Sequence, residues 1–133
     1  MSHVLLDTHV WAWSLTDRRR LSERAVLALQ SAETVSLSVI SLYEIGQKVR
    51  LGKWPEMANK LDTMIGIADL QGLRLIEISA TISIAASAFD WPHRDPFDRL
   101  LAGTAIDRGL VLVSADTAFD ELAPRPGWPG RVW

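Results

Sequence analysis

Short apolar runs alternate with amphipathic stretches along this chain. The runs at 3–7, 73–78 and 110–114 are nearly continuously apolar, and 34–38 alternates and is rich in β-branched residues, so all four are predicted to be β-strands. Apolar residues at three- and four-residue spacing predict helices between them. These helices are expected at 8–15, 23–32, 39–52, 55–72, 80–89 and 96–108, with a short one at 115–122 and a last edge strand at 131–133.

The regular alternation of strands and helices determines the predicted fold class. Such a chain builds parallel β-α units, so we expect a three-layer α/β/α sandwich around a central parallel β-sheet, with right-handed crossovers. No internal repeat or linker interrupts the pattern, which predicts a single domain over residues 1–133.

Composition narrows the function classes. The 133 residues contain no cysteine, so disulfides, thiolate metal sites and thiol nucleophiles are excluded, and a cytoplasmic location is expected. No apolar run approaches the roughly 20 residues that span a bilayer, and the start of the chain lacks a secretory pattern. The formal net charge of −2 gives no overall attraction to nucleic acid, so any such contact requires a local basic patch.

Four acidic residues are predicted to share one edge of the sheet. Asp7 ends the first strand and Asp116 follows the fourth, while Glu44 and Asp98 lie within the first two turns of helices. In parallel sheets the carboxyl ends of the strands meet at one edge, where functional groups gather. Each acid alone is also explained as a cap, an ion-pair partner or a first-turn acid. Their convergence from distant parts of the chain favours a site.

The segment "HRDPFDRLLAGTA" at 93–105 illustrates the argument. Asp95 before Pro96 is the signature of a helix N-cap, which leaves Asp98 without a capping role. Clustered carboxylates repel one another and require a counter-charge, and their oxygens suit Mg²⁺ or Mn²⁺ better than Zn²⁺. Such ions acidify water and stabilise a phosphoryl transition state. The sequence leaves open whether Asp116 or Asp120 completes the set.

The blocks "LLDTHVWAW", "SVISLYEIGQK", "DPFDRLLAGTA" and "LVSAD" resemble the four acidic motifs of PIN-domain ribonucleases, and most closely the VapC-type toxins of bacterial type II toxin–antitoxin pairs. The resemblance implies the same three-layer fold and assigns Asp7, Glu44, Asp98 and Asp116 to catalysis and metal binding. Ser114 stands where the family has a threonine or serine that supports the acids by hydrogen bonding.

The resemblance also implies a function and partners. We expect a Mg²⁺- or Mn²⁺-dependent endoribonuclease that cleaves RNA, pairs with a small antitoxin protein and forms a homodimer, with no membrane association. An acidic site must still hold a polyanion, and basic residues beside it are candidate phosphate contacts, although isolated surface charges are usually only solvated. The candidate RNA contacts are Arg18, Arg19, Arg20, Lys48, Arg94 and Arg99.

Two other functions remain as alternatives. A phosphatase with an aspartyl nucleophile also begins with a strand ending in aspartate, but it needs a second acid where this chain has His9. A non-catalytic RNA- or protein-binding module of the same fold would be expected to have lost some of the acids.

The tryptophans are expected to divide between the core and exposed sites. Trp91 is a candidate for stacking on a base. At most one of Trp11 and Trp13 should belong wholly to the core, and the other is a candidate for a subunit or antitoxin interface. No catalytic role is assigned to His9 or His93.

Overall fold

A computed structural model describes residues 2–133, and its centre is a five-stranded sheet. Every pair of neighbouring strands is parallel, in the order β3-β2-β1-β4-β5. The strands are β1 His3–Leu6, β2 Thr34–Ser38, β3 Arg74–Ile76, β4 Val111–Val113 and β5 Arg131–Val132. The parallel sheet and the edge strand at the end of the chain are therefore confirmed.

Helices cover both faces of this sheet. The α-helices are α1 Thr8–Thr16, α2 Glu23–Ser31, α3 Val39–Arg50, α4 Met64–Leu70, α5 Ala80–Ala88 and α6 Pro96–Arg108. Three 3₁₀ segments accompany them, at Arg18–Arg20, Pro55–Thr63 and Thr117–Leu122. Within residues 2–133, none of these helices combines the length and apolar character needed to cross a bilayer.

The prediction of one continuous helix at 55–72 was wrong. The structure divides it into the 3₁₀ segment Pro55–Thr63 and helix α4. The predicted helix at 115–122 is likewise a 3₁₀ segment. Apolar residues at three-residue spacing share a face in both helix types, so the spacing distinguishes a helix from a strand but not α from 3₁₀ geometry.

Alternating side chains of β1 form the two halves of the core. Val4 and Leu6 point into one cluster with residues of α1 to α4, whereas Leu5 points into the other with residues of α5 and α6. This follows from the two-residue period of a strand. The three-layer α/β/α prediction is confirmed, and the rigid centre of the sheet carries the strand ends from which the acidic residues emerge.

Register places the first and last acids side by side. Leu6 of β1 pairs with Val113 of β4, and the backbone N–H of Asp7 donates to the carbonyl of Val113 at 2.9 Å. The next residues along each strand, Asp7 and Ser114, therefore leave the sheet together. The carboxyl edge of the two central strands forms the floor of the site.

Candidate active site

Asp7 lies at the centre of the site and is only 3% exposed. It is the N-cap of α1, and its Oδ1 accepts the backbone N–H of Thr8 at 2.7 Å. Its Oδ2 accepts the hydroxyl of Ser114 at 2.7 Å, while Ser114 Oγ accepts the backbone N–H of Asp116 at 3.0 Å. The capping explanation is correct for Asp7, the site explanation stays a prediction that this position is compatible with, and Ser114 links the two strand ends.

Glu44 reaches the site from the second turn of α3 and is buried. Its Oε2 accepts a hydrogen bond of 2.7 Å from Lys48 Nζ. Its Oε1 is buried with no hydrogen-bond partner among the described residues. A buried carboxylate oxygen without a partner is costly, so this atom is suited to bind a ligand from outside the chain. Lys48 also supplies a counter-charge that sequence reasoning had not placed in the site.

The two aspartates at the start of α6 have separate roles. Asp95 is the N-cap, and its Oδ1 accepts the backbone N–H of Phe97 at 2.9 Å, with Pro96 in the first helical position. Asp98 instead shares a hydrogen bond of 2.6 Å with Nε2 of His93. The interpretation that Asp95 begins the helix while Asp98 serves the site agrees with this geometry.

Asp116, rather than Asp120, lies beside the other acids. Ligand atoms of His93, Asp98 and Asp116 all lie within 4.8 Å of one another. Asp120 is 57% exposed and pairs at 2.8 Å with Arg131 of the edge strand β5. The structure therefore brings together the four acids named from the sequence.

The crowding of carboxylates shifts two pKa values upward. Burial, together with the charges of Glu44 and Asp116, raises the pKa of Asp7 from 3.8 to about 7. The hydrogen bonds from Ser114 and Thr8 oppose this shift. Burial and the charge of Asp7 raise the pKa of Asp98 to about 7, although the hydrogen bond from His93 opposes this shift. Lys48 pairs with Glu44, so within residues 2–133 Asp7 and Asp98 are left without a lysine or arginine partner, and a cation would supply the missing positive charge.

These shifts predict a dependence of stability on pH without metal. Because their folded-state pKa lies above 3.8, Asp7 and Asp98 stabilise the fold fully below about pH 4, and this contribution is lost as the pH rises to about 7. Urea unfolding in chelator should show that Asp7→Asn gains stability relative to the parent over this range. A difference between the two proteins that does not change with pH would contradict the prediction.

His9 and His93 are the site residues that sequence reasoning undervalued. His93 contacts Asp98, and His9 lies with Nδ1 3.5 Å from Oδ2 of Asp7. Burial lowers the pKa of His9 to about 4, so it is neutral near pH 7, and its Nε2 accepts the backbone N–H of Ala115 at 3.2 Å. The available signal was position, since His9 and His93 lie two and five residues from Asp7 and Asp98.

Arg99, a candidate RNA contact, has a structural role instead. Its guanidinium donates four hydrogen bonds of 2.6 to 3.0 Å to backbone carbonyls, those of Ala86, Phe89, Trp91 and His93. The donors proposed for phosphate are thus occupied in holding the loop that carries His93. Trp91, proposed to stack on a base, is only 5% exposed and packs between Phe89 and Phe119.

We expect Arg99→Lys to destabilise the protein by at least about 2 kcal/mol, because an ammonium cannot bond all four carbonyls and unsatisfied buried groups cost about 1–3 kcal/mol each. Arg94→Gln is the matched control, since Arg94 is exposed and lies in the same loop. Urea unfolding measures both variants. Equal stability of Arg99→Lys and Arg94→Gln would show that the hydrogen bonds of Arg99 do not hold the loop.

The donor set fits a divalent cation of the Mg²⁺ or Mn²⁺ kind. Its compact part consists of carboxylate oxygens of Asp98 and Asp116 with the imidazole of His93, all within 4.8 Å of one another. The charge of Asp7 acts on Asp98, and the charge of Glu44 acts on Asp7. Hard oxygen ligands select these ions, and the imidazole of His93 is compatible with Mn²⁺.

Comparison with known families agrees with this arrangement. The PIN domain family model matches residues 4–124, a range that contains Asp7, Glu44, Asp98 and Asp116. The chain belongs to the PIN-domain family. This PIN domain is 32% identical over 133 residues to Ribonuclease VapC22 of Mycobacterium tuberculosis, a match that covers 95% of this chain and 97% of that protein.

Solved structures share the PIN fold at lower identity. A toxin–antitoxin complex from Klebsiella pneumoniae contains a chain with a TM-score of 0.60 and 21% identity, covering 93% of each chain. VapBC2 from Rickettsia felis, bound to a promoter DNA fragment, gives a TM-score of 0.62 at 18% identity and 98% coverage of each chain. At these identities the likeness concerns the fold of the PIN domain alone.

Proposed function

We propose that this PIN domain, over residues 1–133, is a Mg²⁺- or Mn²⁺-dependent endoribonuclease that acts as the toxin of a toxin–antitoxin pair. The observation that carries the proposal is the convergence of carboxylates from four separate elements, with Asp7 and Asp98 both raised in pKa to about 7. The relative at 32% identity is named a ribonuclease, and structural neighbours come from toxin–antitoxin complexes. Both support the assignment.

The acids divide the work of holding the ion. Asp7 and Asp98 would bind it directly, with Glu44 and Asp116 completing the site directly or through water. The chemistry that a bound divalent cation supplies is the acidification of water and the stabilisation of charge on the phosphoryl group.

The neighbouring residues orient these ligands. Ser114 holds Oδ2 of Asp7, and Lys48 holds Oε2 of Glu44, while Oε1 of Glu44 has no hydrogen-bond partner among the described residues. His93 fixes Oδ2 of Asp98 by their shared hydrogen bond. Partners of this kind hold metal ligands in place, and their loss costs about 10- to 100-fold in metal affinity or activity.

Basic side chains around this edge would hold the RNA backbone. Lys48 lies in the site against Glu44, Arg94 is exposed in the loop before α6, and the 3₁₀ segment Arg18–Arg20 follows α1. Because phosphate contacts release counterions, RNA affinity should fall as the salt concentration rises. An affinity that does not depend on salt would exclude binding of the RNA backbone by these side chains.

The toxin assignment brings further proposals about partners. We propose that a small antitoxin covers the acidic edge and that the toxin forms a homodimer. We also propose that it acts in the cytoplasm, where RNA is present and where a fold built without cysteine needs no disulfide.

Expression in Escherichia coli tests the proposed function. The parent should arrest growth, and the purified parent should cleave labelled single-stranded RNA in Mn²⁺, whereas Glu44→Gln should do neither. Glu121→Gln is the matched control, because Glu121 is an exposed carboxylate outside the site. Equal cleavage by Glu44→Gln and the parent would overturn the assignment, and an inactive parent would favour a non-catalytic module.

A further inference from the structure

An aromatic cluster lies beside the acidic site, and we name it the Trp13 platform after its central ring. It consists of His9, Trp13, Arg20 and Trp133. The ring centroid of Trp13 lies 4.7 Å from that of His9 and 5.9 Å from that of Trp133. The guanidinium carbon of Arg20 lies 4.1 Å from the Trp13 ring centroid. The cluster combines large π surfaces with a positive charge.

The platform is directly connected to the site. His9 contacts Trp13 on one side, and on the other its Nδ1 lies 3.5 Å from Oδ2 of Asp7. The backbone N–H of Ala115, the residue before Asp116, donates to the same imidazole at 3.2 Å. A single side chain therefore separates the Trp13 ring from the carboxylate at the centre of the site.

Trp13 is not needed to fill the core. Trp11, two residues earlier on α1, is 1% exposed and donates its indole N–H to Gln71 at 2.8 Å. Trp13 is half-buried, and among residues 2–133 it packs in neither of the two core clusters. Trp11 is thus the one of these two tryptophans that belongs to the core, and packing of the core does not account for Trp13.

Arg20 differs from the two arginines beside it. Arg18 donates to the carbonyl of Ser14 at 3.2 Å, and Arg19 pairs with Asp17 at 3.0 Å. Arg20 is exposed, and its guanidinium makes no hydrogen bond within the described residues, only the stacking contact with Trp13. Its five N–H donors remain available for a phosphate or a base edge.

We propose that the Trp13 platform binds an unpaired base of the RNA, next to the phosphate that is cleaved, by stacking on Trp13, Arg20 and Trp133. The inference rests on the proposed function, because the acids define where the phosphate lies. Aromatic rings and arginine planes are the surfaces on which proteins stack unpaired bases. A base in a duplex is already stacked, so only an unpaired base can occupy the platform.

Charge favours RNA over a peptide as the occupant. The platform offers the guanidinium of Arg20 with free donors beside the acidic edge, so a fitting ligand would carry negative charge near Arg20 and present a phosphate to the acids that would hold the cation. A nucleotide meets both requirements, with its phosphate at the acids and its base on the rings. The platform thereby contributes to substrate selection. Its residues are separate from the four acids that would hold the cation.

Binding of fluorescent RNA tests the platform without relying on cleavage. All proteins carry Asp98→Asn to prevent turnover, and the probes are a ten-nucleotide RNA of mixed sequence and a ten-unit ribose–phosphate oligomer without bases. Trp13→Leu should weaken binding of the RNA by about tenfold, within the range for loss of one stacked base, while Trp13→Phe retains most of it. Arg20→Ala should weaken RNA binding more than its matched control Arg19→Ala.

The base-free oligomer separates stacking from charge. We expect Trp13→Leu to leave its binding unchanged, and Arg20→Ala to weaken it less than it weakens binding of the RNA. Thermal melting checks that each variant is folded. If Trp13→Leu does not fold, the comparison of Arg20→Ala with Arg19→Ala tests the proposal instead. If Trp13→Leu weakens binding of both probes equally, or leaves RNA binding unchanged, the proposal is overturned.

Cleavage by the parent, measured separately, reports on the proposed function. If the variants behave as expected but the parent cleaves no RNA in Mn²⁺, the nuclease assignment fails while the platform stands. If the parent cleaves RNA and the variants bind like their background, only the platform fails.

Discussion

Asp98→Asn is expected to reduce RNA cleavage by at least about a hundredfold while the protein remains folded. Replacing partners that merely orient metal ligands costs about 10- to 100-fold, so loss of a ligand itself should cost no less. Asparagine keeps the shape of the side chain but removes the charge that lies within 4.8 Å of the ligand atoms of Asp116 and His93. Single-turnover cleavage of a labelled RNA measures the effect.

The matched control lies three residues earlier on the same helix. Asp95→Asn should retain cleavage, because asparagine caps a helix as well as aspartate and Asp95 bonds only the start of α6. In chelator, Asp98→Asn should be at least as stable as the parent at pH 8, since burial opposes ionisation of Asp98. Retained cleavage in Asp98→Asn, or equal loss in Asp95→Asn, would contradict the separate roles of the two aspartates.

The second large effect is stabilisation by metal. At a Mn²⁺ concentration about a hundred times its Kd, the free energy of unfolding should rise by about 2.7 kcal/mol. At one fixed Mn²⁺ concentration, the increase should be larger at pH 8 than at pH 6. The pKa values of Asp7 and Asp98 are both raised to about 7, so at the lower pH the ion must compete with protons for these carboxylates. Thermal melting with and without Mn²⁺ measures the shift in Tm.

Asp7→Asn provides the comparison for this effect. It removes the central carboxylate, so Mn²⁺ should no longer raise its Tm, while Glu121→Gln, outside the site, should respond like the parent. A Tm shift in Asp7→Asn as large as that of the parent would show that Mn²⁺ binds elsewhere.

The placement of the acids was predictable because it follows from backbone topology. Asp7 and Asp116 follow strands whose parallel pairing is dictated by alternating strands and helices, and α3 and α6 carry Glu44 and Asp98 within their first two turns. Topology alone brings such positions to one edge. The hydroxyl of Ser114 was placed correctly by resemblance, since its bond to Asp7 needs only adjacent strand ends.

Contacts that depend on side-chain direction were not predictable in the same way. Lys48 has the spacing of an ordinary surface ion pair with Glu44, and only the fold shows that the pair lies in the site. Arg99 has the charge of a phosphate ligand, but the loop before α6 surrounds it with carbonyls. The burial of Trp91 likewise depends on packing between distant segments, which no local pattern encodes.

We propose that the four converging acids form one metal-dependent nuclease site. The most direct measurement is cleavage of single-stranded RNA by the parent, first in chelator and then after Mn²⁺ is restored, with Asp98→Asn purified in parallel to detect contaminating nucleases. We predict no cleavage in chelator, full recovery with Mn²⁺ and none by Asp98→Asn. Cleavage by the parent in chelator, or equal cleavage by Asp98→Asn in Mn²⁺, would contradict the account.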